Sequence, residues 1–280
     1  YVILAVSLNL VVGISGELSL GHAGFMCVGA FASAFFSKAA LGAIPNDGLR
    51  FFLAILIGAA FAAVFGVLIG IPVLRLRGDY LAIVTLAFGE IIKNVINTFY
   101  IGMDSKGFHF SMKDQFSMGM EPTGTMLLSG PQGITGIPKN STFFIGILLV
   151  LVTLFIVLNL IDSRDGRAIK AIRDNRIAAE SVGINITKYK LMAFTVSAAL
   201  AGVAGALYSH NLATLQASKF NFNTSILALV FVVLGGIGNI RGSVIAAVVL
   251  TALPELLRSL SDYRMLIYSI VLIAMMLFNW

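Results

Sequence analysis

Long stretches without a charged residue recur along this chain and restrict what it can fold into. Residues 51–74 and 142–161 contain no Asp, Glu, Lys or Arg. A helix needs about 20 apolar residues to cross a bilayer, and only helices and closed barrels satisfy their backbone groups there. The apolar residues run continuously instead of alternating, which favours helices over barrel strands. Comparable stretches, interrupted at most by His22, His210 or Glu90 and Lys93, lie at 1–16, 18–37, 80–101, 191–218, 220–240, 242–254 and 265–280.

We therefore predict an all-α polytopic membrane protein, a single domain over residues 1–280 with eight or nine membrane helices or half-helices. Only 11% of the residues are charged, whereas a soluble domain has about 25%, so a soluble globule is excluded. The single cysteine, Cys27, excludes a disulfide or a cysteine-based zinc site within the chain. The apolar run at Tyr1 lacks the basic region of a signal peptide, and we expect the numbering to begin inside a longer natural chain.

The basic residues predict the orientation in the membrane. We interpret the net charge of +6 as membrane topology and not as nucleic-acid binding. Seven basic residues fall within 162–190, which places this segment in the cytoplasm. Alternation of the spans then places Arg75 and Arg77 inside. It places outside the loop 102–141, which we expect to have some structure of its own, and the segments 38–50, 210–223 and 258–264.

The cytoplasmic segment 162–190 contains the pattern of a short amphipathic helix. Asp174 or Asn175 can cap its start, Gly183 fits its end, and Asn185 or Thr187 can cap the next helix. Such a helix is suited to docking into a groove on a cytoplasmic partner, and the alternative is a solvated basic loop. The predicted apolar face consists of Ile177, Ala178, Ala179 and Val182.

Two apolar stretches are interrupted by glycines. Gly13, Gly16, Gly21 and Gly24 interrupt the first, and Gly235, Gly236, Gly238 and Gly242 interrupt the other. Broken helices in two halves of a transporter indicate a substrate path, but small residues also permit close helix packing, and both interpretations stay open. The candidate path residues are Glu17, Gly21, His22, Gly24, Gly235, Gly236, Gly238 and Asn239.

Other small residues and the intramembrane charges suggest structural roles more than chemistry. Gly66 with Gly70, and Ala198 with Gly202 and Ala206, are spaced for helix packing. Glu90 and Lys93 lie three residues apart and form either a structural pair or a proton relay. The sequence contains no phosphate-binding loop and no catalytic constellation, and we predict neither catalytic residues nor a metal site.

Five segments resemble the permeases of branched-chain amino acid ABC transporters. They begin with SLNLVVGISGELSLGHAGF, and GPQGITGIP resembles the external loop of the M-type permeases. The matching segments are 7–25, 76–92, 130–138, 167–185 and 233–242.

The resemblance implies a permease of the bacterial inner membrane for leucine, isoleucine and valine. Its partners would be a second homologous permease, two cytoplasmic ATPases that bind ATP and Mg²⁺, and a periplasmic binding protein, with no cofactor on this chain. Urea or short amides are alternative substrates in the family. From another class of protein, an ion-coupled secondary transporter would rely on Glu90, Lys93 or His22. The resemblance assigns ATPase contact to Arg173, Asp174, Asn175, Ala179, Glu180 and Gly183.

Overall fold

A computed structural model describes most of the chain. The described residues are 1–42, 44–76, 78–104, 107–113, 119, 124–257, 269–270, 273–274 and 277. Arg77, the predicted outer segment 258–264 and most of the predicted span 265–280 lie outside them.

The described part of the chain is mostly helical. The helices are α1 Val2–Asn9, followed by a π-helix Leu10–Ile14, then α2 His22–Ala39, α3 Asp47–Val73, α4 Asp79–Thr98, α5 Phe143–Asp162, α6 Arg164–Asp174, α7 Arg176–Ser181, α8 Ile186–Ser209, α9 Phe222–Leu234 and α10 Ile240–Leu256. Within the described residues, five stretches are long and apolar enough to cross a membrane, namely Asp47–Val73, Asp79–Thr98, Phe143–Asp162, Ile186–Ser209 and Ala217–Leu234.

The prediction of an all-α chain is wrong in the external loop, which contains strands. Strands β1 Tyr100–Asp104, β2 Gly107–Ser111 and β3 Thr125–Ser129 form an antiparallel sheet in the order β2-β1-β3. Two-residue strands, β4 Ile134–Thr135 and β5 Thr214–Leu215, pair with each other. The requirement for helices applies only to backbone exposed to lipid, so a segment outside the hydrocarbon layer is free to pair as strands.

Segments that alternation assigns to the outside meet at one end of the molecule, which we call the outer end. The Lys38 ammonium donates to the carbonyl of Met126 at the edge of the sheet. The backbone N–H of Gly136 donates to the carbonyl of Ala213 at 3.0 Å, next to the β4–β5 pair. The structure therefore brings together the predicted outer segments 38–50, 102–141 and 210–223.

Helices α2, α3 and α8 pack together through small residues and form the core. A Cβ atom built on Gly202 of α8 would lie 2.5 Å from the Cβ of Ala62 and 2.8 Å from the carbonyl oxygen of Gly58 on α3. A Cβ on Gly66 would lie 2.7 Å from the Cβ of Ala198. The predicted packing roles of Gly66, Ala198 and Gly202 are confirmed by these contacts, because a larger residue would force the helices apart.

We predict that Gly202→Ala destabilises the protein by about 1–3 kcal/mol, because even one methyl group overpacks this contact. Thermal unfolding of the protein in detergent measures the effect. The control is Gly146→Ala on α5, where the added Cβ meets only the Leu207 side chain at 3.9 Å. Equal melting temperatures for the two variants would contradict the packing argument.

Candidate functional site

The two glycine-containing interruptions lie next to each other. The chain is not helical between Ser15 and Gly21, or from Gly235 to Asn239. Gly16, Gly236 and Gly238 have φ angles of +73°, +89° and +86°, a region that L side chains rarely adopt. The helix interruptions therefore require glycine at these positions.

Asn9 joins the first apolar segment to the second interruption. Its side-chain oxygen accepts a hydrogen bond from the Gly238 N–H at 2.9 Å. Its amide donates to the Asn239 carbonyl at 3.1 Å and to the Ser243 hydroxyl at 2.8 Å. Gly13 lies directly against the Gly238 backbone, where a side chain would clash. We call the contact between Asn9, Gly13, Gly238, Asn239 and Ser243 the break junction.

The sequence analysis missed Asn9 although a signal was present. Asn9 is fully buried and lies in an apolar run, where a polar side chain is costly unless it has partners. The partners could not be predicted, because they lie more than 220 residues further along the chain.

Arg173 connects the cytoplasmic segment to the break junction. Its Nη1 donates to the Gly13 carbonyl at 2.8 Å, and its side chain packs over Gly16, where an added Cβ would lie 2.7 Å from the Arg173 Cγ. Its Nε and Nη2 donate to the Asp174 carboxylate at 3.1 and 3.0 Å. One side chain of the predicted ATPase-contact set therefore touches the first interruption, and it lies near the second, where a Cβ built on Gly238 would be 3.7 Å from the Arg173 Nη1.

A polar cavity of about 340 Å³ lies beside Arg173 at the inner end. Glu17 in the first interruption forms an ion pair with Lys190 in α8, and both side chains are mostly buried. This pair ties the first interruption to the start of α8. The cavity is lined by Ser15, Gly16, Glu17, Leu18, Leu76, Gly78, Asp79, Ile172, Arg173, Arg176 and Lys190.

The cytoplasmic segment folds into two short helices, α6 and α7. The Asn175 side chain caps α7 by accepting from the Ala178 N–H at 3.0 Å, and the Asn185 side chain caps α8 by accepting from the Lys188 N–H at 3.0 Å. Gly183 has a φ of +84° after the end of α7. The predicted caps Asn175 and Asn185 and the predicted position of Gly183 at a helix end are confirmed, whereas α6 was not predicted.

The prediction that Ile177, Ala178, Ala179 and Val182 form a single apolar face is wrong. Ala179 is buried in a cluster with Ile172 and Ile186, but Ile177 is 80% exposed and Val182 is 75% exposed. Residues two apart in a helix point about 200° apart, so Ile177 and Ala179 cannot share a face. Ala178 and Glu180 are also exposed.

Gly21, His22 and Gly24 lie away from the break junction, at the start of α2. Side chains at Gly21 or Gly24 would collide with α4, since a Cβ on Gly24 would lie 2.7 Å from the Gly89 Cα. The His22 ring is buried and its Nε2 lies 2.8 Å from the Ser7 hydroxyl. The candidate path residues therefore fall into two groups. Gly21, His22 and Gly24 form one group, and Glu17, Gly238 and Asn239 belong to the other.

Gly235 and Gly236 complete the second interruption. Gly235 packs against Ser243 of α10, at a distance that leaves no room for a side chain. The Asn239 side chain caps α10 by accepting from the Gly242 N–H at 3.1 Å. In the part of the chain that the structure describes, no three His, Cys, Asp or Glu side chains are grouped to hold a metal ion.

Comparison with known proteins identifies the family. The family described as the permease component of branched-chain amino acid transport systems matches residues 1–279. The chain belongs to this family. It is a multi-pass protein of the inner membrane.

Curated relatives include transport permeases with several substrates in their names. The high-affinity branched-chain amino acid permease LivM of Salmonella typhimurium is 37% identical over the whole chain, as is LivM of Escherichia coli. The nucleoside ABC transporter permease NupC of Lactococcus lactis is 27% identical over 76% of this chain and 63% of its own length. The chain spans 66% of the length of the LivM proteins. No solved structure matches it significantly.

We predict that Asn9→Leu lowers the free energy of unfolding by about 1–3 kcal/mol, because it leaves the Gly238 N–H without its acceptor. Thermal unfolding in detergent measures the loss. Asn140→Leu is the matched control, because Asn140 makes one long hydrogen bond at the exposed outer end, 3.4 Å to the Asp47 carbonyl. If both variants melted at the same temperature, Asn9 would not stabilise the junction.

Proposed function

We propose that this chain is a permease subunit of an ATP-driven importer for branched-chain amino acids. It forms the translocation path with a second, homologous permease. Two cytoplasmic ATPases bind ATP and Mg²⁺, and a periplasmic binding protein delivers the substrate. Family membership and the 37% identity to LivM over the whole chain support this proposal.

Two exposed apolar side chains, in α7 and directly after it, are the observation that supports the coupling role. Ile177 lies in α7 and Val182 follows its last residue, and both are exposed although Ala179 between them is buried. Large apolar side chains exposed together on a water-facing element mark an interaction site. We therefore assign them to a groove on an ATPase subunit, with the remaining contact made by Arg173, Asp174, Asn175, Glu180 and Gly183.

The link from α7 to the membrane runs through Arg173. Asn175 ends α6 and caps α7, so the two short helices move as neighbours. Arg173, near the end of α6, holds the Gly13 carbonyl. A displacement of α7 by the closing ATPases therefore changes the position of the Arg173 guanidinium and pulls on the break junction.

The helix interruptions supply polar backbone groups for a substrate path. Carbonyl and amide groups freed at a helix interruption can interact with the charged ends of a zwitterion where they line a cavity. Glu17 lines the inner cavity, and we assign it to this path. Gly238 and Asn239 pair with Asn9 in the break junction, and we propose that they join the path when the junction opens. Substitutions at Gly21 or Gly24 would not test the path, because they disturb the α2–α4 contact directly.

Uptake of radiolabelled leucine into vesicles containing the whole transporter tests the proposal. ATP depletion should abolish uptake, and collapse of the proton gradient at constant ATP should leave it intact. The opposite result would favour an ion-coupled transporter that uses the Glu90–Lys93 pair or His22. Uptake of urea or a short amide in place of leucine would identify a different branch of the family.

We predict that Ile177→Asp uncouples the transporter, lowering the stimulation of ATPase activity by the loaded binding protein at least about tenfold, because it places a charge in an apolar groove. Ser181→Asp is the control, since it adds the same charge to α7 without removing an apolar side chain. ATPase assays on reconstituted complexes measure both variants. Normal stimulation of an assembled Ile177→Asp complex would contradict docking through α7.

A further inference from the structure

Helix α4 carries polar side chains on one face although it is apolar enough to cross the membrane. Glu90, Lys93, Asn94 and Asn97 follow the spacing i, i+3, i+4 and i+7, which places them on one side of a helix. We call these four residues the polar stripe. At about 1.5 Å per residue, Glu90 lies roughly halfway along Asp79–Thr98, and the stripe runs from there toward the outer end.

The amide side chains of the polar stripe have no partner among the described residues. Asn94 is exposed and Asn97 is half-exposed. Neither side chain forms a hydrogen bond with a residue that the structure describes. An unpaired amide in hydrocarbon costs several kcal/mol, and polar side chains in membrane spans face a protein interior or a water-filled cavity. The stripe from Glu90 to Asn94 therefore does not face lipid in the assembled transporter, and Asn97, one residue from the end of α4, lies at its outer edge.

The Glu90–Lys93 pair lies at the end of the polar stripe nearest the middle of the membrane. It is accessible from the same side of α4 as Asn94 and Asn97. Lys93 donates to the Glu90 carboxylate, and the side chains of Lys93 and Glu90 are 18% and 34% exposed. Together they carry no net charge. A zwitterion bound between them replaces the Lys93–Glu90 ion pair with two ion pairs, one between its ammonium group and Glu90 and one between its carboxylate group and Lys93. No net charge enters the membrane.

We infer that the polar stripe lines the outer half of the translocation path and that Glu90 and Lys93 bind the ammonium and carboxylate groups of a zwitterionic amino acid near the middle of the membrane. This inference rests on the proposed transport function and names the substrate-binding residues. It differs from a proton relay, because neither side chain has to change its protonation state.

The surroundings of Glu90 explain how the path is closed on its inner side. Glu90 borders a crevice, too narrow to admit a water molecule, between α2, α4 and α9. Gly21 and Gly24, at the start of α2, approach α4 closely there, at Thr85 and Gly89. A substrate bound at Glu90 would therefore lie outside the close contact between α2 and α4. These two helices must separate before the substrate reaches the inner cavity.

Charge-neutralising variants separate substrate binding from a structural ion pair. In vesicles containing the whole transporter, Glu90→Gln and Lys93→Gln should each reduce leucine uptake at least about tenfold, since each removes a charged contact to the substrate. The double variant restores neutrality. If the pair is only structural, the double variant should recover uptake, and this result would overturn the inference, as would unchanged uptake by Glu90→Gln.

Thiol labelling tests the stripe without using leucine or ATP. In a Cys27→Ala background, Asn94→Cys and Asn97→Cys should react with a charged, membrane-impermeant methanethiosulfonate reagent in the assembled transporter. Two exposed apolar positions of α5 serve as controls. Leu148→Cys is matched to Asn94→Cys in its distance from the outer end of the helix, and Phe144→Cys is matched to Asn97→Cys. Labelling of the stripe positions and not of their matched controls supports a water-filled path.

Two labelling results would overturn the inference. If positions 94 and 97 stay unlabelled but cross-link to the second permease, the stripe is a subunit interface. Equal labelling at the matched controls would show that the stripe has no special access to water. The labelling experiment does not require transport. If leucine uptake did not depend on ATP, the proposed importer would be rejected, but the labelling result for the polar stripe would still hold.

Discussion

The arrangement of the two helix interruptions depends on the partners of a few buried backbone groups. A helix that ends within a membrane protein leaves N–H and C=O groups unpaired, and each costs free energy unless another polar group satisfies it. The Asn9 side chain pairs with the Gly238 amide and the Asn239 carbonyl together, and Arg173 pairs with the Gly13 carbonyl. These contacts allow two interrupted segments to lie against each other without a buried electrostatic penalty.

This arrangement also connects the water-exposed and membrane-embedded parts of the permease. Arg173 belongs to α6, in a segment rich in charge, yet its guanidinium reaches the first membrane element. The Glu17–Lys190 ion pair provides a second connection, between the first interruption and α8. Arg173, Glu17 and Lys190 all line the same polar cavity, so α6 and the start of α8 are both joined to the first interruption beside it.

The sequence predicts what depends on neighbouring residues and misses what depends on distant ones. The apolar run 142–161 corresponds closely to α5, and the caps at Asn175 and Asn185 form as their local patterns indicate. The sequence gives no comparable signal for the strands of the external loop, whose pairing joins separate segments. It could not supply the partners of Asn9, which lie more than 220 residues further along the chain. The error about the apolar face of α7 was avoidable, because residues 177 and 179 lie about 200° apart on any helix.

The small β4–β5 pair has a mechanical consequence for the whole permease. It joins residues 134–135 to residues 214–215 by strand pairing. These two segments lie in the connections that precede α5 and follow α8. We expect this pairing to hold the ends of α5 and α8 that adjoin it close together. A rearrangement of the helices would then be smallest at these ends and largest at the opposite ends.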